Sequence, residues 1–282
     1  MNLTNYHSHC DYCDGRATIE EFILAAIQQG YTSYGLTSHA PLPFETKWTM
    51  EKENLDAYLK ESRELQERYS SEIDFYYGLE IDYLNEEYNP KNDLFSNLKL
   101  DYRIGSVHLL ELANGEVIDV DASADHFAGL VRKYYDGELE ELVSAYFDAM
   151  QKLIDTGGFD ILGHCDKVSM NASAYHKGIC DSFEYKKRIR EYFEYIAQQE
   201  LLVEVNTKAF TRSGLFFPNV EHFSLLRELE IPLTVNSDAH DPDKIHDGRK
   251  EALKALYRAG YETVMELKNK KWIAEPIHSQ YR

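Results

Sequence analysis

Within the opening stretch "NYHSHCDYCDG", His7, His9 and Asp14 are residue types that hold metal ions. On an extended strand, His-x-His points both imidazoles to one face, because side chains alternate with period two. That suits two ligands on one ion. Asp14, in the turn before Gly15, could reach a neighbouring ion. Cys10 and Cys13 share the stretch. A redox Cys-x-x-C pair stands where a helix starts after a strand, but here the helix begins later, near Thr18. No second cysteine pair completes a structural zinc site, so the thiols are read as packing near the site.

The same residue types recur along the chain, each after a short apolar run. "SYGLTS" ends in His39, "FYYGL" in Glu80, "RIGSV" in His108 and "DILG" in His164. "PLTVNS" ends in Asp238, followed by His240. Nitrogen and carboxylate donors suit zinc, iron or manganese without sulfur. The set exceeds what one open catalytic ion needs, so two or three ions sharing a bridging carboxylate is the economical arrangement. Such clusters suit phosphoryl chemistry, since they acidify a bound water and neutralise phosphate charge.

The elements that must position these residues follow from periodicity. Strand-like runs are "LTNY", "SYGLTS", "IDFYYGLEI", "YRIGSVH", "DILGH", "LLVEVN" and "PLTVNS". Amphipathic helical patterns alternate with them, from "TIEEFILAAIQQG" to "DGRKEALKALYRAG". Thr18 with Glu21 reads as a capping box, and Gly30 as a helix stop. The alternation implies an α/β fold with a mainly parallel sheet and helical crossovers. In a parallel barrel the C-terminal strand ends share one rim, and the ligand types would converge there. The tail "TVMELKNKKWIAEPI" reads as a final strand or a small hairpin.

Bulk properties bound the rest. At 282 residues and 43% hydrophobic content, the chain has ample material for a core, and no linker divides 1–282 into two domains. A net charge of −19 argues against a nucleic-acid partner. No stretch reads as a signal peptide or a membrane-length apolar run, so neither is expected, and four cysteines without an export signal lead to the expectation of a cytoplasmic protein. Oligomeric state is left open. His126, His176, His222, His246 and His278 fall in helix or loop contexts and are read as solvated.

Taken in order, "HSHCDYCDG", "GLTSHAP", "GLEIDY", "IGSVH", "LGHCD", "VEVNT" and "NSDAH" resemble the histidinol-phosphatase branch of the polymerase and histidinol phosphatase (PHP) superfamily. The resemblance runs from His7 to His240. It implies a distorted, TIM-like (β/α)7 barrel in a single PHP-type domain, with a trinuclear metal site at the strand C-termini. One ion would be held by His7, His9, Glu80 and Asp238, a second by Glu80, His108 and His164, and a third by Asp14, His39 and His240. Some relatives carry histidine where Asp14 stands. The implied reaction is hydrolysis of L-histidinol phosphate, in histidine biosynthesis, by attack of a metal-bridging hydroxide. Glu80 and Asp238 then act as catalytic ligands, and Asp166 is a possible proton donor to the leaving alkoxide. Arg212 is the first candidate phosphate clamp, because guanidinium pairs bidentately with phosphate, and Lys167 is the second. Related chains often carry arginine near Ser169 and Met170, a departure here. Ser106 and Asn206 could add hydrogen bonds to substrate, and Glu111, Asp82 or Tyr83 could form an acidic rim for a cationic group. The metal motifs equally fit a phosphoesterase for nucleotides, sugar phosphates or phosphotyrosine. A metal-binding accessory module is the non-enzymatic alternative.

Overall fold

A computed structural model describes residues 2–281. Among the described residues eleven strands occur in chain order: β1 (Thr4–Asn5), β2 (Ser33–Leu36), β3 (Asp74–Asp82), β4 (Tyr102–Ser106), β5 (Leu109–Glu111), β6 (Val117–Asp119), β7 (Ile161–Leu162), β8 (Leu202–Asn206), β9 (Leu233–Asn236), β10 (Thr263–Lys268) and β11 (Lys271–Pro276). Seven of them form one parallel sheet in the order β1-β2-β3-β4-β7-β8-β9. Each grew from one of the expected apolar runs. The sheet curls into a nearly closed barrel. Ser8 bridges to Ala239 across the seam, and the His9 amide donates to the Ala239 carbonyl at 2.8 Å.

Helices wrap the outside because each presents an apolar stripe at three- and four-residue spacing. The helix Leu139–Thr156 buries Leu142, Tyr146, Met150 and Leu153 in this way. The first helix, Ile19–Gln28, has the expected capping box between Thr18 and Glu21. No helix among the described residues is long and apolar enough to cross a membrane.

The two mouths of the barrel differ. The N-terminal mouth is plugged: the tail folds as the β10–β11 hairpin, and Trp272 packs edge-on against Tyr6 and Tyr102. The Leu267 amide donates to the Tyr6 hydroxyl at 2.8 Å. Arg249, buried, clamps the first strand to the last, with Nη2 donating to Thr4 Oγ1 at 2.8 Å and Nη1 to the Val235 carbonyl. The opposite, C-terminal mouth is where the polar residues collect.

Several elements lie outside the expected set, among them the β5–β6 hairpin directly after His108 and the helices Ala124–Tyr134 and Val168–Tyr175. Strands of three residues are too short to show a period. The turn at Asn114-Gly115 is their main local signal.

Candidate metal centre

Each barrel strand delivers its polar residue at or just beyond its C-terminal end. Glu80 lies inside β3, two residues before its end, in a strand buried throughout Phe75–Asp82. His7 follows β1, His39 follows β2, His108 follows β4, His164 follows β7 and Asp238 follows β9. Local sequence permits the close approach. A Cβ on Gly15 would meet the His9 carbonyl oxygen at 2.0 Å, so only glycine lets the loop fold back over the ligand pair. A Cβ on Gly163 would meet Ser106 Oγ at 2.5 Å. Asp238 adopts a left-handed conformation, φ 49°, which aspartate tolerates better than most residues.

Glu80 is the hub. Its Oε2 lies 3.1 Å from His7 Nε2, 3.5 Å from His9 Nε2 and 2.9 Å from His39 Nδ1. Its Oε1 lies 2.8 Å from His164 Nε2 and 3.6 Å from His108 Nε2. One oxygen thus faces three imidazoles and the other faces two, the disposition a bridging carboxylate requires. Asp238 Oδ1 is 3.1 Å from His9 Nε2, and Asp14 Oδ1 is 3.2 Å from His240 Nε2. Three overlapping groups have ligand atoms close enough to share an ion: His7, His9 and Glu80; His39, Glu80 and His108; and His9, Asp14, His39 and His240. No cysteine belongs to them. Cys10 and Cys13 are free thiols, and Cys13 Sγ lies 3.7 Å from His9 Nδ1.

The donor set fits divalent cations on its own chemistry. His7 Nε2, His9 Nε2, His39 Nδ1, Asp14 Oδ1 and Glu80 Oε2 are buried and have no hydrogen-bond partner. Buried polar atoms are rarely left so, and these turn lone pairs into one shared space. Outer partners fix the ring orientations. His7 Nδ1 faces Glu204 Oε1 at 2.7 Å, His108 Nδ1 faces Asp82 Oδ1 at 2.9 Å, and His240 Nδ1 faces the Asp238 carbonyl at 3.0 Å. A proton held on Nδ1 leaves Nε2 free as a ligand. Burial works against charge on Glu80, but His7, His108 and His39 outweigh it and hold the carboxyl well below its usual range. Burial likewise opposes the charge on His108, and Asp82 and Glu80 overcome it, pushing the ring up to about 9.

A cavity of 180 Å3 opens above the cluster. Asp14, His39, His108 and His240 form its floor side, and Trp48, Asp119, Asp121, Lys167 and Lys208 line the rest. Larger hollows of 310 and 420 Å3 lie elsewhere, but no histidine lines them. Chemistry rather than volume marks the site.

The other expected site residues are placed unevenly. Ser106 donates to Glu80 Oε1 at 2.6 Å, and Asn206 donates to Asp238 Oδ2 at 3.1 Å, so both hold ligands in position. Lys167 lines the cavity, with Nζ 2.6 Å from Asp121 Oδ2. Arg212 is exposed, its Nη2 3.8 Å from Met170 Sδ, and does not line the cavity. Asp166 is fully buried outside the cavity lining and accepts from the Asn219 amide at 2.8 Å; burial pushes its carboxyl up to about 7. Asp82 is turned onto His108, Glu111 is exposed and accepts from Asn85, and Tyr83 is buried with its hydroxyl toward Glu86. Trp48, Asp119, Asp121, Lys208 and Glu204 come to the site without having been expected there. Of these only Glu204 left a trace in sequence, an acid inside the apolar run "LLVEVN", two residues before Asn206 and so on the same face.

His222, expected in solvent, is instead buried against Phe193, and burial pulls its ring down to about 4. Below the ordinary value of 6.5 the unfolded chain takes up a proton that the folded chain refuses until about 4. Stability contributed by the neutral ring is therefore lost as pH falls through that window, on the order of 2 kcal/mol by pH 5. Urea unfolding at pH 7 and pH 5 should show a smaller acid-side loss for His222→Gln than for the parent. Equal losses in the two proteins would contradict the assignment.

Comparison with known proteins adds independent information. The PHP domain family matches residues 5–208. A Schizosaccharomyces pombe protein named probable histidinol-phosphatase is 26% identical over 255 residues, 85% of this chain and 81% of that protein. Among solved structures, a candidate histidinol phosphatase from Listeria monocytogenes superposes with TM-score 0.77 at 24% identity, covering 88% of this chain and 99% of that one. The Lactococcus lactis histidinol phosphate phosphatase, complexed with zinc, L-histidinol and phosphate, gives TM-score 0.70 at 19% identity, covering 96% and 98%.

Proposed function

The chain belongs to the PHP domain family, and from that premise we propose that it is a metal-dependent phosphomonoesterase hydrolysing L-histidinol phosphate to L-histidinol and phosphate. The observation that carries this reading is the 180 Å3 cavity itself, which sets a cluster of imidazole and carboxylate ligands beneath two ammonium groups and two carboxylates. A phosphate monoester with a cationic tail matches that division of charge. The names of the related proteins point the same way.

Three divalent ions are the expected complement, zinc first because the Lactococcus structure holds it, with iron and manganese compatible with the same donors. When bound, such ions supply an acidified water as nucleophile and charge neutralisation at the phosphate. The chain's own residues do the rest. Glu80 joins the two halves of the ligand set, while Asp238 and Asp14 complete its outer corners. Lys167 and Lys208 bring positive charge to the cavity wall for the phosphate oxygens. Asp119 and Asp121 suit the ammonium or imidazole end of the substrate, and Trp48, half-buried against His39 and His108, narrows the mouth. The four free thiols fit a reducing, cytoplasmic setting, and residues 1–282 are taken as one barrel domain.

The test is a phosphatase panel on metal-loaded protein, with histidinol phosphate beside a nucleoside monophosphate, a sugar phosphate and phosphotyrosine. Histidinol phosphate should exceed the others in kcat/KM by roughly 100-fold, less than a fully buried polar site achieves because Asp119 and Asp121 are partly exposed. His164→Ala serves as the inactive control. Comparable turnover on generic esters would transfer the reading to another phosphoesterase. Bound metal with no hydrolysis of any ester would favour an accessory module.

A further inference from the structure

Lys208 follows β8 by two residues, and its side chain reaches across the rim rather than into solvent alone. Its Nζ lies 3.1 Å from Asp238 Oδ1 and 3.3 Å from His240 Nε2. Both partners belong to the ligand set expected to hold ions. His240 Nδ1 sits 3.0 Å from the Asp238 carbonyl, an oxygen that can only accept, so the ring proton is on Nδ1 and Nε2 carries the lone pair. That single lone pair can go to the lysine ammonium or to a metal, not to both. Asp14 Oδ1 borders the same gap, 3.2 Å from Nε2, and makes no hydrogen bond of its own. The gap therefore has two anionic or lone-pair donors from Asp14 and His240 and one cation of the chain already at its edge.

We propose that Lys208 is an internal competitor for the outer metal position formed by Asp14, His39 and His240, making that ion the exchangeable one of the centre. The inference rests on the metal-centre reading above. The Glu80-centred positions have no rival of that kind: among the described residues, imidazoles and the Ser106 hydroxyl but no ammonium lie within hydrogen-bond distance of Glu80, and Lys208 touches that half only through Asp238 Oδ1, a carboxylate oxygen with lone pairs enough to accept from the ammonium and still serve an ion. The lysine side chain is 40% exposed, so it has room to leave when an ion takes His240. Displaced, its ammonium remains beside the cavity, where a substrate phosphate oxygen can accept from it. The two halves of the centre then differ in kind. The inner half is held by buried imidazoles around one carboxylate, and the outer half exchanges an ammonium for a divalent ion.

The experiment uses full-length protein stripped of metal and titrated with zinc alone, against a chromogenic chelator, with bound zinc counted by atomic emission. The parent should show a tight class and a weaker class of zinc sites. Lys208→Met should tighten the weak class by roughly tenfold or more, a size typical of changes next to metal ligands, and leave the tight class within about twofold. Lys208→Arg, which keeps the charge, should leave the weak class weak. Circular dichroism and thermal melting of the variants establish that both fold. If Lys208→Met changes no class, or binds less zinc, the competitor role is overturned. If neither the parent nor the variant binds zinc, the metal centre itself is overturned, and this inference with it.

Discussion

Glu80→Gln is expected to lose metal and to lower kcat/KM by about 1,000-fold or more, equivalent to about 4 kcal/mol of transition-state stabilisation. The substitution keeps the shape of the side chain, so it probes charge and donor type rather than packing. Five imidazoles surround this one carboxylate, three on Oε2 and two on Oε1. An amide replaces one of those oxygens with an NH2 group that can only donate, and it removes the negative charge that lies between the two halves of the set. A bridging position cannot be kept by a group with one accepting atom. Ser106 would donate to a neutral oxygen at best, and would lose its acceptor altogether if the amide nitrogen took the Oε1 place. Atomic emission on the purified variant and phosphate release on histidinol phosphate measure the two consequences together. A variant retaining its full metal complement, with turnover within tenfold of the parent, would remove Glu80 from the centre of the scheme.

Lys167→Met should lower kcat/KM by roughly 100-fold, mostly through KM, because under the proposed function its ammonium would meet a phosphate that is charged before and after bond breaking. The lysine is nearly buried, 9% exposed, and its Nζ contacts Asp121 at 2.6 Å. Burial opposes its charge, but the Asp121 and Asp238 carboxylates outweigh burial and keep the ammonium protonated. Removing it leaves Asp121 without its partner as well as the cavity without a cation. Asp121→Asn separates these effects: with Asp238 still supporting the ammonium, it should raise the phosphate inhibition constant far less than Lys167→Met does, while weakening discrimination in favour of a cationic tail. Inhibition by inorganic phosphate gives a readout independent of the leaving group, and its inhibition constant should rise with Lys167→Met. An unchanged constant would mean that Lys167 serves only to hold the loop after β6 that carries Asp121, and that Lys208 or the ions bind the phosphate.

The barrel was legible because its signals are local and repeated. Seven apolar runs separated by amphipathic segments can be satisfied by few topologies, and a polar residue of ligand type at the end of six of them is informative only in combination. The capping box at Thr18 and the ligand-rich "HSHCDYCDG" could be interpreted without knowing any neighbour. The β5–β6 hairpin could not, and with it Asp119 and Asp121 remained hidden, although they line the cavity. Arg212 shows the converse. Its residue type and its place after "VEVNT" suit a phosphate clamp, yet the short helix Phe210–Ser213 carries it outward, and Lys208, four residues earlier, points across the rim instead.

From the sequence alone came the ligand types, their order and the parallel α/β frame, since each depends on residue chemistry and short-range periodicity. Tertiary structure alone decided which basic and acidic side chains reach the cavity, that Ser106 and Asn206 hold ligands, that Glu204 and Asp82 orient imidazoles, and that His222 is buried. The physical reason is that a strand fixes the direction of its own side chains by its pleat. Where a loop residue ends up depends on contacts made across the barrel, with partners up to more than two hundred positions away along the chain.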